Sequence, residues 1–486
     1  MICRRNQRGI AFVTTLWVII VLTSLTLTLG FSVRVEATAA ANRLAAAQAD
    51  AAERGVEQFL LAAVESEVTS PGSTATISME DIPVGDAHGW VLKPSPDDSQ
   101  NQEFGLTDEA GKLDLNTAAL ARLELLPGMT DDIAASIVNW RGATPAANGL
   151  GASDSYYQSL PNPYSCKHAK FETVEELMLL KDMDATLLYA NDRNRNGLID
   201  GAEQQGSGGI ALFNGANGSD LGIFPLVTIY GVIASTARPA AASATGTTTA
   251  TVNVNQNPAA LTSPNSQFRR KLASVLSAAT VERIINQMPQ PPAPAPNYAS
   301  TFEWAADMRL TGAEYSKVIH LLTATPAEGA PGGAAITAKI NVNSAPEAVL
   351  MCLPSLTQAD AEAISAHRQQ DPTPADPSDI SWLLDVVTDR TKQRAIANEV
   401  AGTSSCFSGD IVAVSADGRA FKRVRIVIDA RQSPCKIIYR RDLTSYGWPL
   451  SADVRTALRS SNSGAGGAGG GAGASSLLPG KGGTTQ

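Results

Sequence analysis

The sequence is poor in the residues that most enzymes use for chemistry. Histidine occurs four times in 486 residues, at His88, His168, His320 and His367, and no two stand at metal-ligand spacing. The five cysteines, Cys3, Cys166, Cys352, Cys406 and Cys435, are scattered, with no CxxC and no Cys/His zinc spacing. No G-x-S-x-G nucleophile motif is present. The acidic pair Glu175 and Glu176 sits beside Lys181 and reads as a solvated helix face, so a non-enzymatic protein is expected. A basic excess is also missing. The net charge is -9 and the sequence pI about 5.1, which argues against a nucleic-acid binder. Aromatic residues make up only 5%, while Ala, Gly, Ser and Thr abound, so two or three modest cores joined by linkers are expected.

What the N-terminus lacks is charge and proline. Residues 10–33 (IAFVTTLWVIIVLTSLTLTLGFSV) carry no charge, and no proline occurs from Ile10 to Ser70. Such a run crosses a hydrocarbon core of about 30 Å as a helix. Arg4, Arg5 and Arg8 precede it, while Arg34 and Glu36 after it offset each other. The basic flank orients the short N-terminus to the cytoplasm and the bulk outward, giving a single-pass membrane protein. A cleaved secretory signal ending at Ala37-Thr38-Ala39 is disfavoured, because the apolar run is too long and charges stand just before that site. Beyond the apolar run, residues 34–67 are rich in strong helix formers, and Leu44, Val56, Phe59, Leu60 and Val64 recur near helical spacing. One continuous helix is predicted.

A basic leader, a glycine, an apolar helix and an amphipathic continuation together resemble the type IV pilin class. In that class a prepilin peptidase cuts after the glycine and methylates the new N-terminus. The resemblance places the cut between Gly9 and Ile10. Most members carry Glu at the fifth mature position, which here is Thr14. That departure is shared with the K-type minor pseudopilins.

Two strand-like regions lie far apart. One is residues 73–93. The other is residues 407–430, where Ile411 and Ala413, then Phe421, Val424, Ile426 and Ile428, frame the hairpin signal Asp417-Gly418, with a further strand at CKIIYRRDL. Between them the pattern is helical. The economical fold class is α+β: a long N-terminal transmembrane helix and a pilin-like antiparallel sheet, with a large, mostly helical (SAM-like or helix-hairpin-helix-like) domain inserted. The expected division is a leader at 1–9, a membrane span at 10–33, the first part of the pilin-like domain at 34–107, the insert at 108–404 and final strands at 405–450. A disordered Gly-rich tail is expected at 460–486. Residues 236–250 and the proline-rich 288–297 read as linkers.

The insert contains a repeat. Residues 112–141 and 339–368 align without a gap, matching Asn116 with Asn343, Leu126-Pro127 with Leu353-Pro354, Ala134 with Ala361, Ile137 with Ile364 and Arg141 with Arg368. Each copy reads as a strand-like start, helix, Leu-Pro turn and helix. A degraded third copy begins at Thr251 (TVNVNQNPAAL). The motifs DEAGKLDLNTA (Asp108 to Ala118) and KINVNSAPEAVL (Lys339 to Leu350), with the order of elements, resemble the K component of type II secretion systems. That resemblance implies a structural part of the secretion pseudopilus, initiating or capping its tip. The implied partners are the I and J minor pseudopilins, with H, the major pseudopilin G and the prepilin peptidase. The rival reading is a membrane-anchored DNA-uptake or competence protein using the hairpins. It is weakened because the turns Gly128-Met129-Thr130 and Ser355-Leu356-Thr357 lack the second glycine that close approach to phosphate needs.

The sharpest local motif is D-x-N-x-N-G-x-I-D-x-x-E at residues 192–203, which fits a twelve-residue EF-hand calcium loop. Asp192, Asn194 and Asn196 offer side-chain oxygens, Leu198 its carbonyl, Asp200 a ligand through water, and Glu203 two closing oxygens. Gly197 allows the turn and Ile199 points into a core. The resembled family also implies calcium as the cofactor. GSGG follows soon after Glu203, so no exit helix is expected, and the ion would staple the fold. Finally, Cys406 and Cys435 flank the last strands and are disulfide candidates in an oxidising periplasm, their pairing left open by the sequence.

Overall fold

The computed structural model describes residues 8–69, 77–97, 101–142, 144–199, 203, 221–235, 251–324, 338–370 and 379–464. The leader up to residue 7, the linker 236–250 and Asp200 lie outside the described residues, as does the tail from residue 465.

The uninterrupted helix-forming sequence produces a single helix, α1 (Arg8–Thr69), of 62 residues and about 90 Å. Its two halves differ in what they touch. Phe12, Trp17, Leu22, Leu27 and Val33 are all exposed, and this is the one described helix long and apolar enough to cross a membrane. From Ala45 on, a stripe of Ala45, Ala49, Ala52, Val56, Leu60 and Ala63 is buried at spacings of three and four. That stripe lies on an antiparallel sheet.

The sheet runs β1 (Ile82–Val84), β2 (Ala87–Lys93), β11 (Cys406–Val414), β12 (Phe421–Asp429) and β13 (Lys436–Asp442), with short β3 (Glu103–Phe104) on β2 and β4 (Thr107–Asp108) on β11. Its central strand therefore comes from the far end of the chain: Val412 stands opposite Trp90 and Phe407 opposite Asp108. Period-two alternation sorts the faces. Val91, Ile411, Val424, Ile426 and Ile428 meet Val56, Leu60 and Val64 of α1. Trp90, Leu92, Val412 and Val414 meet Leu450 and Leu458 on the other face. Gly89 sets how closely α1 sits, since a Cβ there would meet Val56 Cγ2 at 2.3 Å. The β11–β12 hairpin turns at Asp417-Gly418, with Gly418 at φ +62°.

The described residues between β4 and β11 form a helical block with its own large core. The block is α+β only in detail, being built from three units that each open and close with a two-residue strand. In the first, β5 (Leu113–Asp114) pairs in parallel with β6 (Val227–Thr228) and encloses α2 (Leu120–Leu123) and α3 (Asp131–Arg141). In the second, β7 (Val252–Asn253) pairs with β8 (Leu322–Thr323). In the third, β9 (Ile340–Asn341) pairs with β10 (Val400–Ala401) and encloses the helices Glu347–Leu350 and Gln358–Gln370.

One asparagine per unit ties its start to a later segment. Asn116 accepts from Phe171 N (2.7 Å) and donates to Phe171 O (3.2 Å). Asn255 does the same with Tyr298 (2.7 and 2.8 Å). Asn343 donates to Gly402 O (3.0 Å). Arg141 donates to the carbonyls of Leu115 and Ala118, and Arg368 to the matching carbonyls of Val342 and Ala345. The repeated residues thus hold each unit's first turn in place.

Two expectations are corrected. The proline-rich 288–297 does not separate units. It lies inside the second one, where Gln290 donates to Ile285 O and Met288 O and where Met288 and Tyr298 are buried. The tail does not begin at 460 either, because a helix spans Ala452–Gly464 and packs Leu458 against the sheet.

Candidate metal centre

The first unit carries the acidic loop. It follows α5 (Ala185–Tyr189), whose N-cap Asp184 accepts from Leu187 N. The loop curls on its own side-chain oxygens. Asp192 accepts from the amides of Asn196 and Gly197, each at 2.9 Å. Asn194 Oδ1 accepts from Asn196 N and Asn196 Oδ1 from Leu198 N, again at 2.9 Å. Glu203 Oε1 accepts from the amides of Arg193 (2.8 Å) and Asn194 (3.1 Å). Arg195 (φ +58°) and Gly197 (φ +78°) supply the left-handed turns, and a Cβ on Gly197 would sit 2.7 Å from Pro94 Cα. Ile199 is buried, its side chain inside the core as its position in the motif predicts.

Asp192, Asn196 and Glu203 are all buried. Burial pushes the Asp192 carboxyl up to about 7, and the neighbouring Glu203 charge adds to this against the Gly197 and Asn196 amides and Arg423. The two neighbouring carboxylates and the side-chain oxygens of Asn194 and Asn196 offer an all-oxygen donor set that suits a hard divalent cation. Asp192, Asn194, Asn196, the Leu198 carbonyl and Glu203 would hold it. Asp200, the expected water-mediated ligand, falls outside the described residues.

The loop is also the joint between the helical block and the sheet, which the sequence did not signal. Arg423 of β12, fully buried, pairs with Asp410 of β11 at 2.7 Å and donates to the loop carbonyls of Asn194 (2.6 Å) and Arg195. Asn196 Nδ2 donates to Pro449 O (2.8 Å). The Arg195 guanidinium lies between the rings of Tyr189 (3.9 Å) and Tyr446 (4.3 Å), a cation–π clamp across the two bodies. Arg441 of β13 meets Glu175 of the first unit.

Gly9 and Ile10 lie near the start of α1. Cys406 and Cys435 are not brought together. Cys406 has odd parity to Ile411 along an unbroken β11 register, so it faces the helical block beside Ala110 and Val427. Cys435 sits in the α1-facing core, with its Sγ 2.9 Å from Glu65 Oε2. The sheet stands between them, and both are thiols. In the hairpin turns, Met129 N and Leu356 N donate to Leu126 O and Leu353 O within their own turns.

The model of the family described as type II secretion system (T2SS), protein K, matches residues 98–191. This segment is of the protein K family. It spans β3 to α5 and stops just before the 192–203 loop. Protein K is a structural pseudopilin family, and the match to it covers this segment of the chain. No curated protein matches the chain. Among solved structures, the GspK-GspI-GspJ complex from the enterotoxigenic Escherichia coli type 2 secretion system is similar at 12% identity, covering 80% of this chain and 93% of that chain with a TM-score of 0.39. So low a score adds no weight to the protein K match. The α1 helix is compatible with a single-pass membrane anchor.

Proposed function

We propose that this protein-K-type chain initiates or caps the tip of the type II secretion pseudopilus during export of folded proteins across the outer membrane. Thr14 carries the reading. In a pilin-like fibre the fifth-position Glu of each subunit neutralises the N-terminal ammonium of the one before it, and an unpaired charge in low dielectric is costly. After cleavage between Gly9 and Ile10 and methylation of Ile10, Thr14 occupies that position and offers no carboxylate. A first subunit, with no predecessor, is the one place where this is harmless.

The bulk of the chain lies in the periplasm in this reading, with α1 in the inner membrane. Minor pseudopilins I and J, which accompany GspK in the solved complex, are the expected neighbours along α1. H and the major pseudopilin G lie further down the shaft. The pilin-like domain is residues 34–107 and 405–450, and the block at 108–404 is a SAM-like or hairpin-like insert. The loop at 192–203 takes calcium, whose charge draws the Asp192 and Glu203 carboxylates together and so fixes the block on the sheet through Arg423 and Asn196.

Site-specific crosslinking from the helical block in secreting cells tests this. Crosslinks should run to one side, to I and J. Regular crosslinks to the major pseudopilin along the shaft would exclude the tip position.

A further inference from the structure

A second cluster of metal-ligating side chains lies in the first helical unit, away from the calcium-type loop, and its donors are of a different chemical kind. Asp154 opens the short helix α4 (Asp154–Gln158), and Cys166 and His168 follow on the irregular segment after it. One carboxylate oxygen, the thiol sulfur and one ring nitrogen of the three all lie within 4.8 Å of one another.

Each donor is oriented from behind. His168 has φ +49°, uncommon for a residue with a side chain, and this backbone sends its N–H to Trp140 O (2.8 Å) at the end of α3. Its ring Nδ1 lies 3.0 Å from Gly142 O, a carbonyl that can only accept, so Nδ1 carries the proton and Nε2 faces Asp154 Oδ2 at 2.8 Å. Asp154 is held by its other oxygen, which accepts from Cys166 N at 2.7 Å. A ring nitrogen bound to a backbone carbonyl while the other faces a carboxylate is the arrangement that metal-ligating histidines adopt.

The geometry points to a site for a borderline-soft divalent cation of the zinc type, bound by Asp154, Cys166 and His168. Calcium is the wrong ion here, because it takes six to eight oxygens. Zinc takes mixed S, N and O donors in a tetrahedron. The charges balance. One M2+ enters while two protons leave, one from the Cys166 thiol and one from between His168 Nε2 and Asp154 Oδ2. The thiolate and carboxylate then neutralise the cation. His168 and Asp154 are part-exposed, their side chains 43% and 40% accessible, so the ion has a path in and a water fills the fourth position. Bound there, the cation would tie the start of α4 to a segment already fastened to the end of α3.

The test uses the full chain in detergent, with excess calcium to fill the oxygen loop, titrated with Co2+ as a spectroscopic stand-in for Zn2+. A thiolate-to-cobalt charge-transfer band in the near ultraviolet, saturating at one equivalent and bleached by Zn2+, is expected. It should vanish in Cys166→Ser and persist in Cys435→Ser. Asp154→Asn, nearly isosteric, should weaken cobalt binding at least about tenfold, and it decides the matter if Cys166→Ser does not fold. No thiolate band in the parent chain would overturn the proposal. So would a band unchanged in Cys166→Ser, or affinity unchanged in Asp154→Asn.

Discussion

Replacing Arg423 by Met should separate the helical block from the sheet energetically. Arg423 is fully buried, and its partner Asp410 is 4% accessible. Removing one member of such a pair strands the other charge in low dielectric, at a cost of about 3–5 kcal/mol. Two features adjust that figure. Arg425 Nη2 stands 3.3 Å from the same Asp410 oxygen, which keeps part of the compensation. Against this, the carbonyls of Asn194 and Arg195 lose their donor, at about 1 kcal/mol each. The two roughly cancel, so Arg423→Met should still cost about 3–5 kcal/mol. At about 1–2 °C per kcal/mol for a body of this size, the melting temperature should fall by roughly 3–10 °C. The assay is a thermal melt of the full chain in detergent with calcium present, followed by near-ultraviolet circular dichroism. The double variant Asp410→Leu/Arg423→Met removes the stranded carboxylate and should recover more than half of the loss. A fall below about 2 °C for Arg423→Met, or a double variant no better than the single one, would refute the reasoning.

Two further outcomes follow from the same joints. Calcium should raise the melting temperature of the full chain in a concentration-dependent way, and Glu203→Ala should abolish most of that rise; a melt indifferent to chelator would remove calcium from the account. Asn255→Ala should cost about 2–3 kcal/mol, because a buried side chain loses two hydrogen bonds and leaves Tyr298 N and O without them, whereas exposed Asn148→Ala should be near neutral in the same melt.

The parts of this fold that were legible in the sequence are those with a long or repeated signal. An uncharged, proline-free run made α1 readable. Alternating Val and Ile around Asp417-Gly418 made the β11–β12 hairpin readable. A gapless match made the first and third units readable, down to Asn116 with Asn343 and Arg141 with Arg368. The second unit keeps the Asn clamp at Asn255, but its helices Gln267–Ala273 and Ala278–Gln287 do not repeat the spacing of α3, so the similarity fades after its first turn. The closing strands were invisible because each is two residues long and pairs with a partner far away in the chain. In the 192–203 loop the candidate oxygen donors lie within twelve residues, so the motif could be read locally. Arg423, Pro449 and Tyr446, which seat the loop, come from the other end of the chain and left no local pattern. His168 read as isolated because its carboxylate partner Asp154 is 14 residues away and meets it only once the segment folds back on α3. The disulfide candidates flank the same strands, but Cys406 faces the helical block and Cys435 the α1 side of the sheet.

The most direct test of the pilin-class account is the mature N-terminus of the membrane-extracted protein, read by mass spectrometry. The account predicts a chain that begins at N-methylated Ile10, with residues 1–9 removed. A chain beginning near Ala40, or one that keeps its leader in cells with an active prepilin peptidase, would contradict it.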